Sequence, residues 1–318
     1  MRPRILALAA VLANCALAAN AQQPLGIGTM GQGTQGYAMG AAIAKVLQEK
    51  GGLSSRIQPS SGTSAYLPLI DSGELDFGVA NVQEAQNAAS GETMPNNRKL
   101  ENLRFAATLF PFRVGLFVRK DSGIDKIADL KGKRVSYGFS TQSTSQQVVD
   151  GLLANGGLKR SDVREGLVPN VVRGAEDLAA GKLDATFFAI GGGKVAEVDA
   201  AVGGVRFLPM ATDAASVKRM TDAMPPSYIS VVQPRSGMAG VEKPIPAMAY
   251  DYMLLTGKHV PAATVTKAVE TLAGNKEALM AALAAFADFD KARMAMDAGL
   301  PPHPGAKAYF DKAGLKGK

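Results

Sequence analysis

Residues 25–50 read LGIGTMGQGTQGYAMGAAIAKVLQEK, and this stretch decides the fold. An apolar run ends at Ile27-Gly28-Thr29, and a glycine-rich loop follows it. Beyond the loop, Ile43, Val46 and Leu47 recur on one face of a helical pattern that runs to the end of the stretch. The stretch therefore predicts a strand, a loop and a helix in that order. The loop then lies at the C-terminal end of the strand, where ligands bind in open α/β sheets.

The same pattern returns about 110 residues later. A second strand is predicted at 134–138, followed by a polar loop at 140–145 and a helix through Val148 and Leu152. Both copies continue alike, with Pro59 and Pro169 in the next strands and a Gly-x-Leu-Asp run before the third strands at 77–80 and 186–189. We interpret this as a duplicated strand–helix unit.

Alternating strands and helices predict an α/β fold in which each copy builds a mostly parallel sheet flanked by helices. Two similar lobes imply a ligand cleft between them. We expect residues 22–112 with 232–318 to form lobe I and residues 113–231 to form lobe II. The connections are predicted at 110–114 and 225–232, and helical patterns at 262–272 and 276–289 are expected to complete lobe I.

The N-terminus has the pattern of a signal peptide. Arg2 and Arg4 precede an apolar core at 5–13, and Ala19-Asn20-Ala21 is a typical cleavage site. We expect cleavage after Ala21 and export to the periplasm. Lipid attachment at Cys15 is the alternative, although Asn14 fits it poorly. No later stretch is apolar and long enough to predict a membrane helix.

The composition excludes several classes of function. The chain of 318 residues has two His, one Cys and no Trp. A cysteine-based zinc site, a His-rich metal site and a Ser-His-Asp hydrolase are therefore improbable. Scarce aromatic residues and scattered basic residues, at a net charge of +7, argue against nucleic-acid binding. We expect a monomer without metal or cofactor, and not an enzyme.

One motif points towards a cofactor. Gly31-Gln32-Gly33-Thr34-Gln35-Gly36 fits the dinucleotide pattern G-x-G-x-x-G. The acidic residue expected about 20 residues later is replaced by Arg56, which could suit a 2′-phosphate. Export argues against a nicotinamide cofactor, whose pool is cytoplasmic.

A small-anion site is the other interpretation of the two loops. A helix N-terminus offers free N–H groups and a partial positive charge. Neutral hydrogen-bonding side chains accompany both loops, although Ser and Thr also cap helices routinely. The candidate ligand-binding side chains of the loops are Thr29, Gln32, Thr34, Ser140, Thr141, Gln142, Ser143 and Thr144. Arg173 is a candidate anion clamp, and Tyr37 and Phe188 are candidate apolar contacts.

The chain also resembles a known family, the TAXI-type solute-binding proteins of TRAP (tripartite ATP-independent periplasmic) transporters. The resemblance covers nearly the whole mature chain. It rests on the first loop, on the segments 59–63, 72–78, 118–124, 129–135 and 184–188, and on the tail at 303–306. It implies a two-lobed periplasmic-binding-protein fold of type II, and it adds Thr63 and Ser64 to the candidate site. Asn81 and Gln83 are further candidates, at positions where family members often have Gln and Asp.

The function implied by the resemblance is that of a periplasmic receptor. Such a receptor captures a small organic anion, a carboxylate or an acidic amino acid, and delivers it to a sodium-coupled TRAP permease. Two alternatives stay open: a binding protein that serves an ABC permease or a sensor, and an exported enzyme.

Overall fold

The structure is a computed structural model that describes residues 23–92, 94–142, 144–296 and 299–316. The predicted signal peptide, with its cleavage site after Ala21, and the candidate residue Ser143 lie outside these ranges.

The described residues form ten strands and ten α-helices. The strands are β1 (Leu25–Met30), β2 (Ser55–Ser60), β3 (Phe77–Asn81), β4 (Leu103–Arg119), β5 (Arg134–Gly138), β6 (Arg164–Val168), β7 (Thr186–Ala189), β8 (Val205–Phe207), β9 (Tyr228–Val232) and β10 (Ile245–Gly257). The helices are α1 (Gln35–Gly51), α2 (Thr63–Ser72), α3 (Val82–Ser90), α4 (Ser145–Asn155), α5 (Val171–Ala179), α6 (Gly193–Val202), α7 (Ala214–Ala223), α8 (Ala262–Gly274), α9 (Lys276–Ala282) and α10 (Pro304–Lys312).

The predicted repeat is present in both lobes. In lobe I, β1 pairs in parallel with β2 and with β3. In lobe II, β5 pairs in parallel with β6, and Val135 of β5 forms a parallel bridge to Ala185, just before β7. Each lobe thus places the first strand of its unit between the second and the third. The loops after β1 and β5 therefore leave equivalent edges of the two sheets.

Two long antiparallel strands join the lobes. Residues 103–114 of β4 pair with β10, and its following residues pair with β7 and β8 of lobe II. Residues 245–249 of β10 pair with β9, whereas residues 252–256 pair with β3 of lobe I. The crossings lie near Pro111 in β4 and near Tyr250 in β10. The chain therefore returns from lobe II to lobe I within β10. The sequence predicts this second connection earlier, at 225–232, with the lobe boundary at 231/232.

The C-terminal residues complete lobe I. Helix α8 packs against α1 and α10, in agreement with the predicted helix at 262–272. The predicted helix at 276–289 is shorter than expected, because Leu283 adopts extended backbone angles (φ −150°, ψ 113°) and ends α9. A 3₁₀ turn at Ala284–Asp288 follows it.

Candidate ligand-binding site between the lobes

The first loop ends in a well-formed helix cap. The Thr34 hydroxyl accepts a hydrogen bond from the Tyr37 N–H at 3.1 Å and donates one to the Gly31 carbonyl at 2.7 Å. The N–H groups of Gln35 and Gly36 belong to the first turn of α1, which offers them no intrahelical acceptor. The start of α1 is thus held rigidly with donors available at the cleft.

Helix α3 begins with a capping box that contains a buried acid. The Asn81 side chain accepts from the Glu84 N–H at 2.9 Å, and the Glu84 carboxylate accepts from the Asn81 N–H at 3.1 Å. The Thr63 hydroxyl donates to the other Glu84 oxygen at 3.1 Å. Burial raises the pKa of Glu84 from its ordinary 4.5 to about 7, and these two hydrogen bonds offset only part of the effect.

The second loop is fixed by its own backbone and by lobe I. Phe139 adopts the left-handed region at φ 47°, and its buried ring packs edge-on against Phe187. The Gln142 amide donates to the Ser61 carbonyl of lobe I at 3.3 Å and accepts from the Val171 N–H at 2.9 Å. Gln142 therefore links the start of α5 to the opposite lobe. Thr144 precedes α4 without making a side-chain cap.

These elements line a space between the lobes that we call the inner pocket. Its lining residues are Met30, Thr34, Gln35, Asn81 and Glu84 from lobe I, Phe112, Tyr250 and Tyr252 from the crossing strands, and Gln142, Thr144, Ser145, Val148, Val171, Phe187, Phe188 and Ala189 from lobe II. The N-termini of α1, α3, α4 and α5 all contribute to this lining. Of the described residues that line it, Glu84 is the only charged one.

Aromatic rings form the hinge side of the inner pocket. The Phe112 ring lies 4.1 Å from that of Tyr252 and 5.2 Å from that of Tyr250, centroid to centroid. Burial raises the pKa of both tyrosines well above its ordinary value, and the nearby Glu84 adds to the rise. Both phenols are therefore neutral at physiological pH.

Arg173 does not reach the inner pocket. It lines an outer groove with Gln32, Thr34, Gln142 and other residues on the solvent side of Gln142. Its guanidinium pairs with Asp177 at 3.0 Å and with Glu176 at 3.6 Å, both on its own helix, and the side chain is 46% exposed. Arg173, the predicted anion clamp, is therefore already paired with two acidic side chains of its own helix and lies at the exposed surface.

A third space, the hinge groove, opens on the other side of Gln35. It is lined by segments of β4, by the loop after β9 and by the 3₁₀ turn at Ala284–Asp288. Asp288 in this groove pairs with Arg113 at 2.6 Å and with Arg235 at 3.5 Å. Gln35 lines both this groove and the inner pocket, so the two spaces are neighbours.

The structure brings five of the candidate residues together in the inner pocket: Thr34, Asn81, Gln142, Thr144 and Phe188. Gln32 and Arg173 line the outer groove, and Ser140 is exposed. Thr141 donates to Ser61 of the opposite lobe at 3.3 Å, and Gln83 donates to Gln147 of α4 at 3.2 Å. These two residues therefore contact the other lobe instead of lining the pocket.

The remaining candidates have other positions. Thr29 is fully buried, and its methyl group fills the space that a Cβ on Gly40 would need, so it packs α1 against β1. Thr63 reaches the site only through Glu84. Tyr37 and Ser64 are half-buried and are not part of the lining.

Sequence reasoning missed Glu84, Tyr250 and Tyr252 as lining residues. The pattern Asn81-x-x-Glu84 is a recognisable capping signature and could have drawn attention to Glu84. Tyr250 and Tyr252 come from a strand more than 150 residues away from α3, and no local pattern places them there.

No group of three metal-ligating side chains occurs among the described residues. Within the same ranges, no helix has both the length and the apolar character that a membrane span requires. His303 is buried and caps α10, where its Nδ1 accepts from the Gly305 N–H at 3.1 Å.

The two lobes, the crossing strands and the enclosed pocket define a periplasmic-binding-protein-like fold. The chain belongs to the NMT1-like family, whose model matches residues 27–314.

Solved structures share this fold at low sequence identity. The alkanesulfonate-binding protein SsuA from Xanthomonas axonopodis pv. citri, bound to MOPS, is 16% identical with a TM-score of 0.51, over 92% of this chain and 91% of that one. PhnD1 from Prochlorococcus marinus (MIT 9301), in complex with methylphosphonate, is 10% identical with a TM-score of 0.56, over 92% and 98%. The VFT2 domain of BvgS from Bordetella pertussis is 13% identical with a TM-score of 0.50, over 82% and 92%. At these identities the likeness shows the fold.

Proposed function

We propose that the protein is a periplasmic solute-binding protein that holds a small organic anion in the inner pocket and delivers it to a membrane permease. The observation that carries this proposal is the convergence of four helix N-termini, two from each lobe, on one enclosed space. Each helix start carries a partial positive charge that attracts an anion. At α3 and α5 the N–H groups of Glu84, Val171 and Arg173 already donate to side chains, so free donors are expected mainly at α1 and α4. The pattern of the first 21 residues supports export.

The ligands of two fold neighbours support the anionic class. One neighbour is described as an alkanesulfonate-binding protein and the other as a complex with methylphosphonate. We extend this chemistry to the present chain because four helix starts contribute to its pocket, whose described lining residues include no basic side chain. Neutral donors and helix dipoles must then supply the attraction for the anion.

The permease is proposed separately. The sequence resemblance implies a sodium-coupled TRAP permease, but neither the family description nor the descriptions of the fold neighbours refer to such a transporter. The alternative, a binding protein for an ABC permease or a sensor, therefore has the better support. Solute uptake by cells distinguishes the routes: an ABC permease requires ATP hydrolysis, and a TRAP permease requires a sodium gradient.

A thermal-shift screen tests the binding proposal. The mature protein is unfolded and refolded to remove any copurified solute, and carboxylates, sulfonates, phosphonates and amino acids are added one at a time. Ligand at about 100 times its Kd stabilises the folded state by about 2.7 kcal/mol, so a true ligand raises Tm clearly. A binding protein also returns its solute chemically unchanged, whereas an enzyme would convert it. No stabilisation by any of these anions would contradict the proposal.

A further inference from the structure

A buried amide oxygen in the inner pocket accepts no hydrogen bond. Gln35 is only 8% exposed, and its Oε1 has no hydrogen-bond partner among the described residues. Buried polar atoms are nearly always paired in folded proteins, so an orphaned acceptor indicates that a donor is supplied from elsewhere. Gln35 lines both the inner pocket and the hinge groove, and a solute in the inner pocket can supply that donor.

The only charged side chain of the described lining is also an acceptor. Glu84 is 6% exposed, and the described residues that line the pocket with it include no Lys, Arg or His. The hydrogen bonds from Thr63 and from the Asn81 backbone are neutral, so they leave the charge of the carboxylate uncompensated. A buried carboxylate without a positive partner is unfavourable, and a cationic group in the pocket would remove that penalty.

The aromatic side of the pocket suits the same kind of group. Phe112, Tyr250 and Tyr252 lie together at the hinge side, with the Phe112 and Tyr252 rings 4.1 Å apart. Aromatic faces attract cations, most strongly where water is excluded. Gln35, Glu84 and these rings thus line one pocket.

We infer that Glu84 and Gln35 form a subsite for a protonated amino group, so that the solute is a small zwitterion and not a simple anion. The ammonium donates to the Glu84 carboxylate and to Gln35 Oε1, while the anionic end faces the helix N-termini. A primary amine fits better than a quaternary one, since both acceptors require N–H donors. The inference rests on the proposed function and narrows its solute class.

Matched pairs of probes test the inference. Isothermal titration on refolded protein compares 4-aminobutanoate with butanoate, taurine with ethanesulfonate, and L-glutamate with glutarate. Each pair differs by a single amino group. We expect the amine to bind at least tenfold more tightly than its partner in one pair or more. In Glu84→Gln this preference falls to less than threefold, while the affinity for the deaminated partner changes little.

Two further variants separate recognition from folding. Gln35→Met removes the orphaned acceptor at similar length, and we expect it to lower the preference for the amine by about threefold or more. Glu49→Gln neutralises an exposed acid on α1, far from the pocket, and should leave the preference unchanged. A purely structural role of Glu84 would weaken both members of a pair alike.

The outcomes also separate this inference from the proposed function. If the deaminated acids bind as tightly as the amines, or if Glu84→Gln leaves the preference intact, the ammonium subsite is wrong and anion binding stands. Tighter binding of a deaminated acid at low pH would indicate that Glu84 instead acts as a protonated donor to a plain anion. If no member of any pair binds, the ammonium subsite is wrong, and the wider thermal-shift screen decides separately whether the proposed function stands.

Discussion

Thr34 and Thr144 precede equivalent helices of the two lobes but have different roles. Thr34 caps α1 and lines the pocket, whereas Thr144 lines the pocket without capping α4. A neutral hydrogen bond contributes about 0.5–1.5 kcal/mol, so Thr144→Ala should weaken solute binding by about tenfold or less and leave Tm unchanged. Thr34→Ala should weaken binding similarly and also cost about 1 kcal/mol of stability through the lost cap. Isothermal titration and thermal unfolding measure the two effects.

Arg173→Ala tests the rival arrangement. Since this side chain is half-exposed and paired with acids of its own helix, we expect its loss to change affinity by less than threefold. If the arginine variant alone loses about 2–5 kcal/mol of binding free energy, Arg173 is the main clamp, and the proposal that the helix N-termini hold the anion is wrong.

Glu84 should make stability depend on pH in the ligand-free protein. Burial raises its pKa to about 7, so between pH 4.5 and 7 the folded state holds a proton that the unfolded state has lost. The free energy of unfolding must then fall as the pH rises through this window. The total fall is about 1.36 kcal/mol for each unit by which the folded-state pKa exceeds the unfolded-state pKa. We predict that at pH 8 the free energy of unfolding of Glu84→Gln is higher than that of the wild type by about 3 kcal/mol. Near pH 4.5 the two proteins should be equally stable.

Urea unfolding at both pH values measures this difference. Glu49→Gln serves as the control, because its carboxyl is exposed. Parallel pH profiles for the wild type and Glu84→Gln would contradict the account of a buried, unpaired carboxyl.

The candidate residues found from sequence are those whose role is local. Thr34 follows a strand and precedes a helix, so its position could be read from the chain alone. Arg173 satisfied the same local criterion, yet its guanidinium pairs with Glu176 and Asp177 one turn along the same helix. Tyr250 and Tyr252 could not be found, because only the register of β10 with β3 and β4 brings them to the pocket.

At the scale of elements, the two repeated units are predictable because their strands and helices follow local patterns. The predicted strand at 77–80 corresponds to β3 (Phe77–Asn81), and the strand at 186–189 corresponds to β7. The crossing in β10 was missed for a different reason. A continuous strand that changes its partners from one lobe to the other shows no break in its own sequence.

Gly62, just before α2, sets how closely the lobes approach. A Cβ at this position would lie 1.8 Å from the Thr141 carbonyl oxygen of the opposite lobe. Backbone cannot yield as a flexible side chain does, so Gly62→Ala should hinder closure while each lobe still folds. We predict solute affinity at least tenfold lower with Tm of the ligand-free protein nearly unchanged.

The control for this variant is Gly274→Ala at the end of α8. A Cβ there would meet no atom within 4 Å, and the substitution should leave affinity unaffected. Unchanged affinity in Gly62→Ala would show that binding does not require the close approach seen here.

On the scale of the whole molecule, the lobes are in contact across the cleft. The Lys194 N–H donates to the Gly33 carbonyl at 3.1 Å, and Gln147 accepts from Asn87 at 2.8 Å. These contacts describe a closed arrangement, and the crossings in β4 and β10 provide the hinge. Hinged closure around a ligand is a common response of two-lobed proteins.

Small-angle scattering should therefore detect opening. Refolded, ligand-free protein is expected to have a larger radius of gyration than the same protein with saturating solute. Gln147→Ala, which removes hydrogen bonds to Asn87 and Gln83, should shift the ligand-free protein further towards the open form. Equal radii with and without solute, together with measured binding, would contradict closure as the response to binding.

The most direct test of the central claim is a crystal structure of the refolded protein with the tightest-binding anion of the thermal-shift screen. The account predicts the anionic group in the inner pocket, with its oxygens within about 3.2 Å of backbone N–H groups at the starts of α1 and α4. An anion bound instead to Arg173 in the outer groove, or to Arg113 and Arg235 in the hinge groove, would contradict it.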